Sequence, residues 1–443
     1  MSVRQDWIAA RGGPLRGELL VPGDKSVSHR AIMFGAIAEG STRIDGFLEG
    51  EDTRATAAIF RQLGVRIEAP SDGVRIVHGV GLHGLQPTGE ALDCGNAGTA
   101  MRLLTGLLAG QRFDSTLVGD ESLSKRPMRR VIEPLSSMGA RIDSNDGAAP
   151  LQVHGGRALH GIDYALPVAS AQVKSAILLA GLYADGATTV REPAVTRDHT
   201  ERMLATFGQP VGREGNAVRL DPVGELTATG VAVPGDLSSA TFLILAAALA
   251  RSGSLVLDRV GLNPTRTGIL EIFRLMGIDM SVAPADTPAG AEPVGRITVR
   301  PSRLRGVAIP PALVPLAIDE FPAVFVAAAL ADGETVVAGA EELRHKESDR
   351  IAVMATGLRA LGVTVTESPD GARIRGGRLE AGEVDSAGDH RVAMAFAVGA
   401  SRATGPVRIL DTANVATSFP GFVGLAQACG LDVEETAGED RGH

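Results

Sequence analysis

Short apolar runs of helical length alternate with β-branched segments along the chain, and this alternation recurs six times. Each recurrence begins at a polar residue of a type that caps helices and ends, 38–43 residues later, at a glycine. The starting residues, called anchors below, are Asp24, Asn96, Ser170, Asp236, Asp319 and Asp389. The terminal glycines are Gly64, Gly139, Gly208, Gly277, Gly362 and Gly430. One supersecondary unit used six times explains this regularity.

The residue types predict the elements of each unit. Asp, Asn or Ser at an anchor caps a first helix, and a glycine suits the left-handed position after a second helix. Between the two helices lies a β-branched segment, which predicts a strand. These segments begin at Gly40, Asp114, Gly186, Gly253, Gly333 and Gly405. The unit starts lie 66–83 residues apart, longer than solenoid repeats of about 20–50 residues, so we expect a closed pseudo-symmetric α/β protein.

Length and composition set the broad class. A chain of 443 residues is large for one core, so two or more domains are expected. Two cysteines, Cys94 and Cys429, argue against a disulfide framework or a cysteine metal site. The most apolar stretch, Thr241–Ala250, is shorter than the about 20 residues that span a bilayer. The first residues lack an apolar signal region, and a cytoplasmic protein without membrane partners is predicted.

Charge indicates the kind of ligand. A net charge of −9 and 3% aromatic residues argue against nucleic acid as a partner. Lysine and arginine nevertheless recur near the anchors of every unit except the fourth. They include Lys25, Arg30, Arg102, Lys125, Arg126, Lys174, Arg197, Lys346, Arg350 and Arg391. Helix N-termini attract anions, so cations there predict sites for phosphates or carboxylates; the alternative is that each is a solvated surface residue.

Cofactor motifs find no support in the sequence. G-D-K-S at Gly23–Ser26 resembles half a P-loop without the upstream glycine, and there is no G-x-G-x-x-G after a strand, no H-E-x-x-H and no paired C-x-x-C. D-H-R at Asp389–Arg391 lacks the context of a kinase loop. We therefore predict neither a metal nor an organic cofactor.

The acids of the fifth unit are candidates for proton transfer. Asp319 follows an apolar run, and a carboxylate facing a substrate hydroxyl can act as a general base. Glu347 lies between Lys346 and Arg350, which keep it ionised unless burial opposes this. The alternative for Asp319 is that it only caps its helix.

Ten segments in order carry a family resemblance. They read P-G-D-K-S-V-S-H-R, G-N-A-G-T-A-M-R, S-K-R-P-M, S-A-Q-V-K-S-A, T-R-D-H-T-E, N-P-T-R-T-G, I-D-E-F-P, L-R-H-K-E-S-D-R, D-H-R-V-A-M and T-S-F-P, between about residues 15 and 432. Together they resemble the 5-enolpyruvylshikimate-3-phosphate synthases, in the bacterial branch called class II.

The resemblance implies a two-domain inside-out α/β barrel of six β-α-β-α-β-β units, three per domain. The chain would cross between domains at Pro22–Asp24 and Pro234–Asp236. Domain one would hold residues 1–22 plus 236–443, and domain two residues 23–235. The family's helix N-termini converge on a cleft that closes when shikimate 3-phosphate binds.

The resemblance also implies the reaction. The family transfers the enolpyruvyl group of phosphoenolpyruvate to the 5-hydroxyl of shikimate 3-phosphate, in aromatic amino acid biosynthesis, without a cofactor. Addition gives a tetrahedral intermediate, and elimination releases phosphate. The catalytic residues would be Asp319, which deprotonates the 5-hydroxyl, and Glu347, which serves the methyl carbon, with Lys25 and His390 in support. The protein would act as a monomer.

The family's ligand residues carry over by motif. Those for shikimate 3-phosphate would be Lys25, Ser26, Arg30, Ser170, Ala171, Gln172, Arg197, Asp319 and Lys346. Those for phosphoenolpyruvate would be Lys25, Asn96, Gly98, Arg126, Gln172, Arg350 and Arg391. Two positions depart from relatives: Ala171 replaces a serine, so that one phosphate ligand is missing, and Thr417 replaces a lysine before S-F-P.

Gly98 bears on inhibition by glyphosate. The resemblance places alanine at this position in glyphosate-tolerant relatives of the branch, where its methyl group would crowd an inhibitor longer than phosphoenolpyruvate. With glycine here, the enzyme is predicted to be glyphosate-sensitive; the alternative is that Gly98 serves only backbone packing.

Two other functions fit the sequence less well. UDP-N-acetylglucosamine enolpyruvyl transferases share the six-unit fold, but their first motif pairs lysine with asparagine, whereas Lys25 precedes Ser26 here. They also carry a loop cysteine, and neither cysteine of this chain lies in such a loop. A non-enzymatic binding module would leave Asp319 and Glu347 unexplained.

Overall fold

The computed structural model describes residues 5–222, 224–288 and 290–438. The described chain divides into two compact units. Unit 1 contains the residues up to Pro22, Gly235–Asp286 and the residues from Pro293 onward; unit 2 contains Gly23–Pro234 and Thr287–Glu292. Among the described residues, no helix is long and apolar enough to cross a membrane.

The strands of both compact units are numbered in the order in which they occur along the chain. The strands are β1 Gln5–Ala10, β2 Leu15–Leu20, β3 Glu39–Asp45, β4 Arg66–Ser71, β5 Val74–Val80, β6 Leu92–Asp93, β7 Ser115–Val118, β8 Arg141–Asn145, β9 Ala148–His154, β10 Asp163–Ala165, β11 Thr188–Arg191, β12 Gly212–Glu214, β13 Ala217–Leu220, β14 Val231–Ala232, β15 Gly253–Gly261, β16 Met280–Pro284, β17 Val294–Val299, β18 Glu334–Val337, β19 Thr364–Ser368, β20 Gly371–Arg375, β21 Gly382–Asp385, β22 Val407–Leu410 and β23 Asp432–Ala437. All six strands predicted inside the repeat are confirmed, as β3, β7, β11, β15, β18 and β22.

The helices follow the predicted pairs. They are α1 Lys25–Ile37, α2 Glu51–Gln62, α3 Gly98–Ala109, α4 Glu121–Ser124, α5 Arg129–Ser137, α6 Ala171–Gly181, α7 His199–Thr206, α8 Leu237–Leu249, α9 Gly268–Leu275, α10 Phe321–Ala329, α11 Arg350–Ala360, α12 His390–Ala400 and α13 Phe422–Cys429. Short 3₁₀ helices cover Pro311–Leu313, Ile318–Glu320, Glu341–His345 and Ala413–Thr417.

The same sheet is built six times in the described chain. Five sheets have four strands, in the orders β14-β3-β5-β4, β6-β7-β9-β8, β10-β11-β13-β12, β2-β15-β17-β16 and β21-β22-β1-β23. In each, the first pair is parallel and the next two pairs are antiparallel. The sixth, β18-β20-β19, has an isolated parallel bridge between Ala308 and Val336 where its first strand would pair. The α/β class and the six-fold repeat are therefore confirmed.

The first helix of each repeat forms the core and the second covers it. Helices α8, α10 and α12 are buried at every residue, which explains their apolar composition on all sides. In contrast, α2, α5 and α9 are buried on one face only. Unit 2 has one hydrophobic core around Phe34, Phe60 and Phe207, and unit 1 has another around Phe242 and Phe273.

Four of the six predicted helix caps are confirmed. Side chains of Asp24, Ser170, Asp236 and Asp389 accept hydrogen bonds from backbone N–H groups in the first turns of α1, α6, α8 and α12. The other two cap predictions are wrong. Helix α3 begins at Gly98 without a side-chain cap, and α10 begins at Phe321, after a 3₁₀ turn that contains Asp319. Both side chains are engaged elsewhere, as described below.

The terminal glycines all lie after the second helices in the left-handed region. Their φ angles run from +83° at Gly362 to +113° at Gly430. A side chain is strained at such φ angles, so glycine is the residue that ends these helices. The predicted stop signal is confirmed in all six repeats.

The two P-G-D segments have matching backbone bonds. The Asp24 N–H donates to the Pro234 carbonyl at 2.8 Å, and the Asp236 N–H donates to the Pro22 carbonyl at 2.8 Å. Glycine is required at position 23 because an added Cβ would lie 1.9 Å from the carbonyl oxygen of Gly46. These bonds fix the backbone immediately before the caps of α1 and α8.

Candidate active site

In unit 2, α1 presents Lys25 and Ser26 at its first two positions because Asp24 caps the helix directly before them. The Lys25 ammonium forms an ion pair with Asp52, with 3.0 Å between Nζ and Oδ2. Asp52 is 5% exposed and lies in the first turn of α2. Sequence reasoning missed Asp52, which no cap or cation pattern distinguished from other acids.

Arg30 lies one turn further along α1 and is 3% exposed. Its guanidinium donates to the Thr200 hydroxyl at 2.7 Å, the Ser175 hydroxyl at 2.9 Å and the Ser26 carbonyl at 2.9 Å. Burial lowers the pKa of Arg30 to about 10, against the opposing effect of Glu201. Arg30 therefore connects α1 to two other helices of unit 2 while remaining a cation.

A second set of predicted residues lies at the N-terminus of α3. The Asn96 amide donates to Asp120 at 2.7 Å and accepts from the Arg126 guanidinium at 2.6 Å. Gly98 is the first residue of α3, and a Cβ added there would lie 3.0 Å from Nη1 of Arg126. The structure thus brings Asn96, Gly98 and Arg126 together, as predicted for one binding site.

The third predicted set begins α6. Ser170 caps this helix, Ala171 and Gln172 are its first residues, and all three are half-buried. The Gln172 side chain accepts a short hydrogen bond from Arg102 and donates to Thr99 at 2.8 Å, so α6 is connected to α3. Arg197, half-buried, lies in the segment before α7.

Lys174 differs from the other cations near anchors. It is fully buried, and its Nζ lies 2.7 Å from Glu201 and 3.1 Å from Glu192. Burial raises the pKa of Glu201, while Lys174 opposes that shift. The anion-binding interpretation of Lys174 is therefore wrong: this cation neutralises carboxylates of its own unit.

Unit 1 carries the predicted proton-transfer acids. Oδ1 of Asp319 lies 3.4 Å from Lys346 and 3.5 Å from Arg350, and Glu347 pairs with Arg350 at 2.7 Å. Burial would lower the pKa of Arg350, but the carboxylates of Asp389, Glu347 and Asp319 raise it instead. The buried Arg350 guanidinium therefore forms ion pairs with three carboxylates. Asp319 is one of them, and it pairs with cations instead of capping α10.

Helix α12 begins with His390 and Arg391, which are 3% and 8% exposed. Asp389 accepts from the Arg391 backbone N–H at 2.9 Å and from the Arg350 side chain at 2.8 Å. The cap of α12 thus also holds Arg350. At the predicted departure from relatives, the Thr417 hydroxyl donates to the Asn414 carbonyl at 2.7 Å.

The fourth of the six repeats also has a cation near its anchor, contrary to the sequence prediction. Arg266 lies 3.5 Å from Asp236 and donates to the Ser238 hydroxyl at 2.6 Å. It was missed because it follows the anchor by 30 residues, although it belongs to the quoted N-P-T-R-T-G segment. Among the described residues, no group of three or more His, Cys, Asp or Glu side chains is arranged to hold a metal.

Comparison with known proteins identifies the family. The family model of EPSP synthase (3-phosphoshikimate 1-carboxyvinyltransferase) matches residues 9–425. The chain belongs to this family. The 3-phosphoshikimate 1-carboxyvinyltransferase of Xanthomonas euvesicatoria pv. vesicatoria (strain 85-10) is 63% identical over 433 residues, 98% of each chain. That of Xanthomonas campestris pv. campestris (strain B100) is 63% identical over 428 residues, 96% of this chain and 98% of the relative.

Solved structures agree with this assignment. EPSP synthase from Acinetobacter baumannii is 51% identical, with a TM-score of 0.87 over 98% of this chain and 100% of that one. The enolpyruvyl transferase NikO from Streptomyces tendae has a TM-score of 0.80 at 17% identity over 99% of this chain and 100% of that one, which shows the shared fold alone. The predicted family, fold class and carboxyvinyl transferase activity are confirmed.

Proposed function

We propose that this chain transfers the enolpyruvyl group of phosphoenolpyruvate to the 5-hydroxyl of shikimate 3-phosphate and releases inorganic phosphate. The observation that carries the proposal is the position of Asp319 and Glu347 around the buried Arg350, inside a member of the EPSP synthase family. A base for the hydroxyl and an acid for the methylene carbon are the two proton-transfer groups that this reaction needs.

Shikimate 3-phosphate requires groups for a phosphate, a carboxylate and ring hydroxyls. We assign these to Lys25 and Ser26 of α1, to Ser170, Ala171 and Gln172 of α6, and to Arg30, Arg197, Asp319 and Lys346. The capped N-termini of α1 and α6 support this, because uncompensated N–H groups and the helix dipole favour anions there. The Arg30 guanidinium already donates to the hydroxyls of Ser175 and Thr200, so we expect it to act on shikimate 3-phosphate chiefly through its charge.

Phosphoenolpyruvate carries a second phosphate and carboxylate. We assign these to Lys25, Asn96, Gly98, Arg126, Gln172, Arg350 and Arg391. In unit 2, the Arg126 guanidinium is oriented by Asn96 at the start of α3, which suits paired donation to an anion. In unit 1, Arg350 and Arg391 are both buried, and the Arg350 side chain is held by Asp389, so little of its side-chain entropy is lost on binding.

The chemistry follows from these positions. Asp319 takes the proton of the 5-hydroxyl while the hydroxyl oxygen bonds to the carbon of phosphoenolpyruvate that carries the phosphate. In the same step Glu347, which must carry a proton at this stage, donates it to the methylene carbon, which becomes a methyl group. In the second step Glu347 removes a methyl proton, and the carbon–oxygen bond to phosphate breaks. Lys25 and His390 support the charge that develops. The cations hold the substrate charges in place throughout, which lowers the barrier electrostatically.

The same assignment extends to inhibitor, assembly and compartment. We propose that glyphosate competes at the phosphoenolpyruvate residues, that the enzyme works as a cytoplasmic monomer, and that it needs no cofactor. Its two domains would be residues 1–22 plus 236–443 and residues 23–235. Sedimentation at several concentrations tests the monomer, and activity in the presence of a chelator tests independence from metals.

The deciding experiment measures phosphate release by the purified chain with phosphoenolpyruvate and shikimate 3-phosphate together. We expect release that requires both compounds and yields the enolpyruvyl ether. UDP-N-acetylglucosamine replaces shikimate 3-phosphate in the control reaction. Release with the nucleotide sugar and none with shikimate 3-phosphate would assign the chain to the other transferase activity.

A further inference from the structure

A buried carboxylate beside Asp319 contacts a different pair of arginines. Glu320 is 1% exposed and accepts a short hydrogen bond from the Ser238 hydroxyl. Its Oε1 lies 3.6 Å from Arg266 and 3.9 Å from Arg391. Asp319, the preceding residue, contacts Lys346 and Arg350 instead. Two consecutive carboxylates in one 3₁₀ turn therefore serve two separate groups of cations.

Glu320 is itself held in place on one side. Ser238 is the second residue of α8, and Arg266 donates to the same hydroxyl at 2.6 Å, so the carboxylate lies at a helix N-terminus beside a buried guanidinium. Both features favour a negative charge at this point. A carboxylate fixed in this way gives its remaining neighbour, Arg391, a rigid partner.

Arg391 depends on that partner. Asp389, the nearest acid in sequence, receives the Arg391 backbone N–H but directs its side-chain ion pair to Arg350. Within the described part of the chain, the carboxylate within 4.0 Å of the Arg391 guanidinium belongs to Glu320. This ion pair connects the Arg391 guanidinium, through Glu320 and Ser238, to the N-terminus of α8.

We propose that Glu320, with Arg266 and Ser238 behind it, is a positioning residue that orients Arg391 toward phosphoenolpyruvate. This inference rests on the proposed function, in which Arg391 binds phosphoenolpyruvate. The fourth repeat then contributes to the reaction without touching substrate. The carboxylate of Glu320 lies at the N-terminus of its helix α8, whereas the corresponding helix N-termini of other repeats are assigned to substrate.

The test compares Glu320→Gln with the double variant Arg266→Gln/Glu320→Gln. The single variant removes a negative charge from beside two buried guanidinium groups, those of Arg266 and Arg391, so we expect a lower melting temperature. We also expect a KM for phosphoenolpyruvate raised about tenfold, with the KM for shikimate 3-phosphate within about twofold of wild type. The double variant removes both charges and should recover most of the melting temperature. Its KM for phosphoenolpyruvate should stay raised, because Arg391 still lacks its partner.

A matched control is Asp6→Asn, since Asp6 is 1% exposed and pairs with Arg408 at 3.0 Å in the same unit. It should lower the melting temperature and leave both KM values unchanged. Recovery of the phosphoenolpyruvate KM together with stability in the double variant would overturn the positioning role. So would an equal rise of both KM values in Glu320→Gln. A wild-type chain that releases no phosphate would instead overturn the proposed function, and this inference with it.

Discussion

The Lys25 ammonium lies 3.0 Å from the Asp52 carboxylate, and both side chains are largely shielded from solvent. Lys25 is the first residue of α1 and Asp52 the second residue of α2, so the pair connects the starts of two helices of one repeat. A lysine held in this way has a defined position before any substrate arrives. The catalytic role proposed for Lys25 therefore predicts an effect of Asp52 on the rate, although no substrate role is assigned to Asp52.

Asp52→Asn should lower kcat/KM by about 10- to 100-fold. A hydrogen bond to a charged group contributes about 1.5–3 kcal/mol, and each 1.36 kcal/mol corresponds to a factor of about ten in rate. Steady-state kinetics with both substrates would measure the loss. The control is Asp45→Asn, which removes an exposed partner of Arg43 and should leave kcat/KM unchanged. Wild-type kinetics in Asp52→Asn would show that Lys25 needs no such support.

Asp319→Asn and Glu347→Gln should separate the two proton transfers. Each variant should lower kcat about 10²- to 10⁴-fold, the usual contribution of a general acid or base. Supplying the tetrahedral intermediate bypasses the first step, so Asp319→Asn should convert it to product at nearly the wild-type rate. Glu347→Gln should remain slow, because it still has to remove the methyl proton. Rapid-quench analysis of the intermediate measures both rates, and the reverse pattern would exchange the two roles.

Gly98→Ala should weaken the binding of glyphosate more than the binding of phosphoenolpyruvate. The added methyl group would lie 3.0 Å from the Arg126 guanidinium and thus narrows the space beside a predicted ligand of both compounds. The φ angle at Gly98 is not in the left-handed region, so alanine fits the backbone. We expect the inhibition constant for glyphosate to rise at least about tenfold relative to the KM for phosphoenolpyruvate. Gly89→Ala, where an added Cβ meets nothing within 4 Å, is the control; an unchanged inhibition constant in Gly98→Ala would refute the prediction.

Local sequence signals predicted the backbone of this fold well. Left-handed glycines after the second helices and β-branched segments between helices act through the geometry of a few neighbouring residues, so they can be identified without knowing the fold. The cap prediction was wrong at Asn96 and Asp319 because the contacts of these two side chains are distant in sequence. These side chains bond to Arg126 and to Lys346, which are 30 and 27 residues away in sequence.

The candidate site shows the same division. Motifs selected the residues near the helix starts, but they could not separate Lys174, whose charge is neutralised by Glu192 and Glu201, from cations available to a ligand. Nor could they pair Arg266 with Glu320, because that contact depends on how the 3₁₀ turn packs against α8. Long-range ion pairs are a property of the folded unit, and the sequence contains their members without their partners.

Replacement of His29 should make stability less sensitive to acid. His29 is buried on α1, and its Nδ1 lies 2.8 Å from the Thr56 hydroxyl. Burial, with smaller contributions from Lys25 and Arg30, holds the pKa of His29 well below its usual value. Below about pH 6.5 the histidine of the unfolded chain binds a proton, whereas His29 of the folded chain stays neutral. The free energy of unfolding therefore falls as the pH drops below this value, by up to about 1.36 kcal/mol per pH unit.

His29→Asn keeps a polar group at the Nδ1 position and removes this titration. Between pH 7 and pH 5.5, the free energy of unfolding from urea titrations should therefore fall less steeply in His29→Asn than in wild type. The exposed His345 offers the matched variant His345→Asn, which should retain the wild-type slope. Carboxylates that titrate at lower pH contribute equally to all three proteins, so the difference between slopes isolates His29. Equal slopes in His29→Asn and wild type would mean that His29 is protonated in the folded chain.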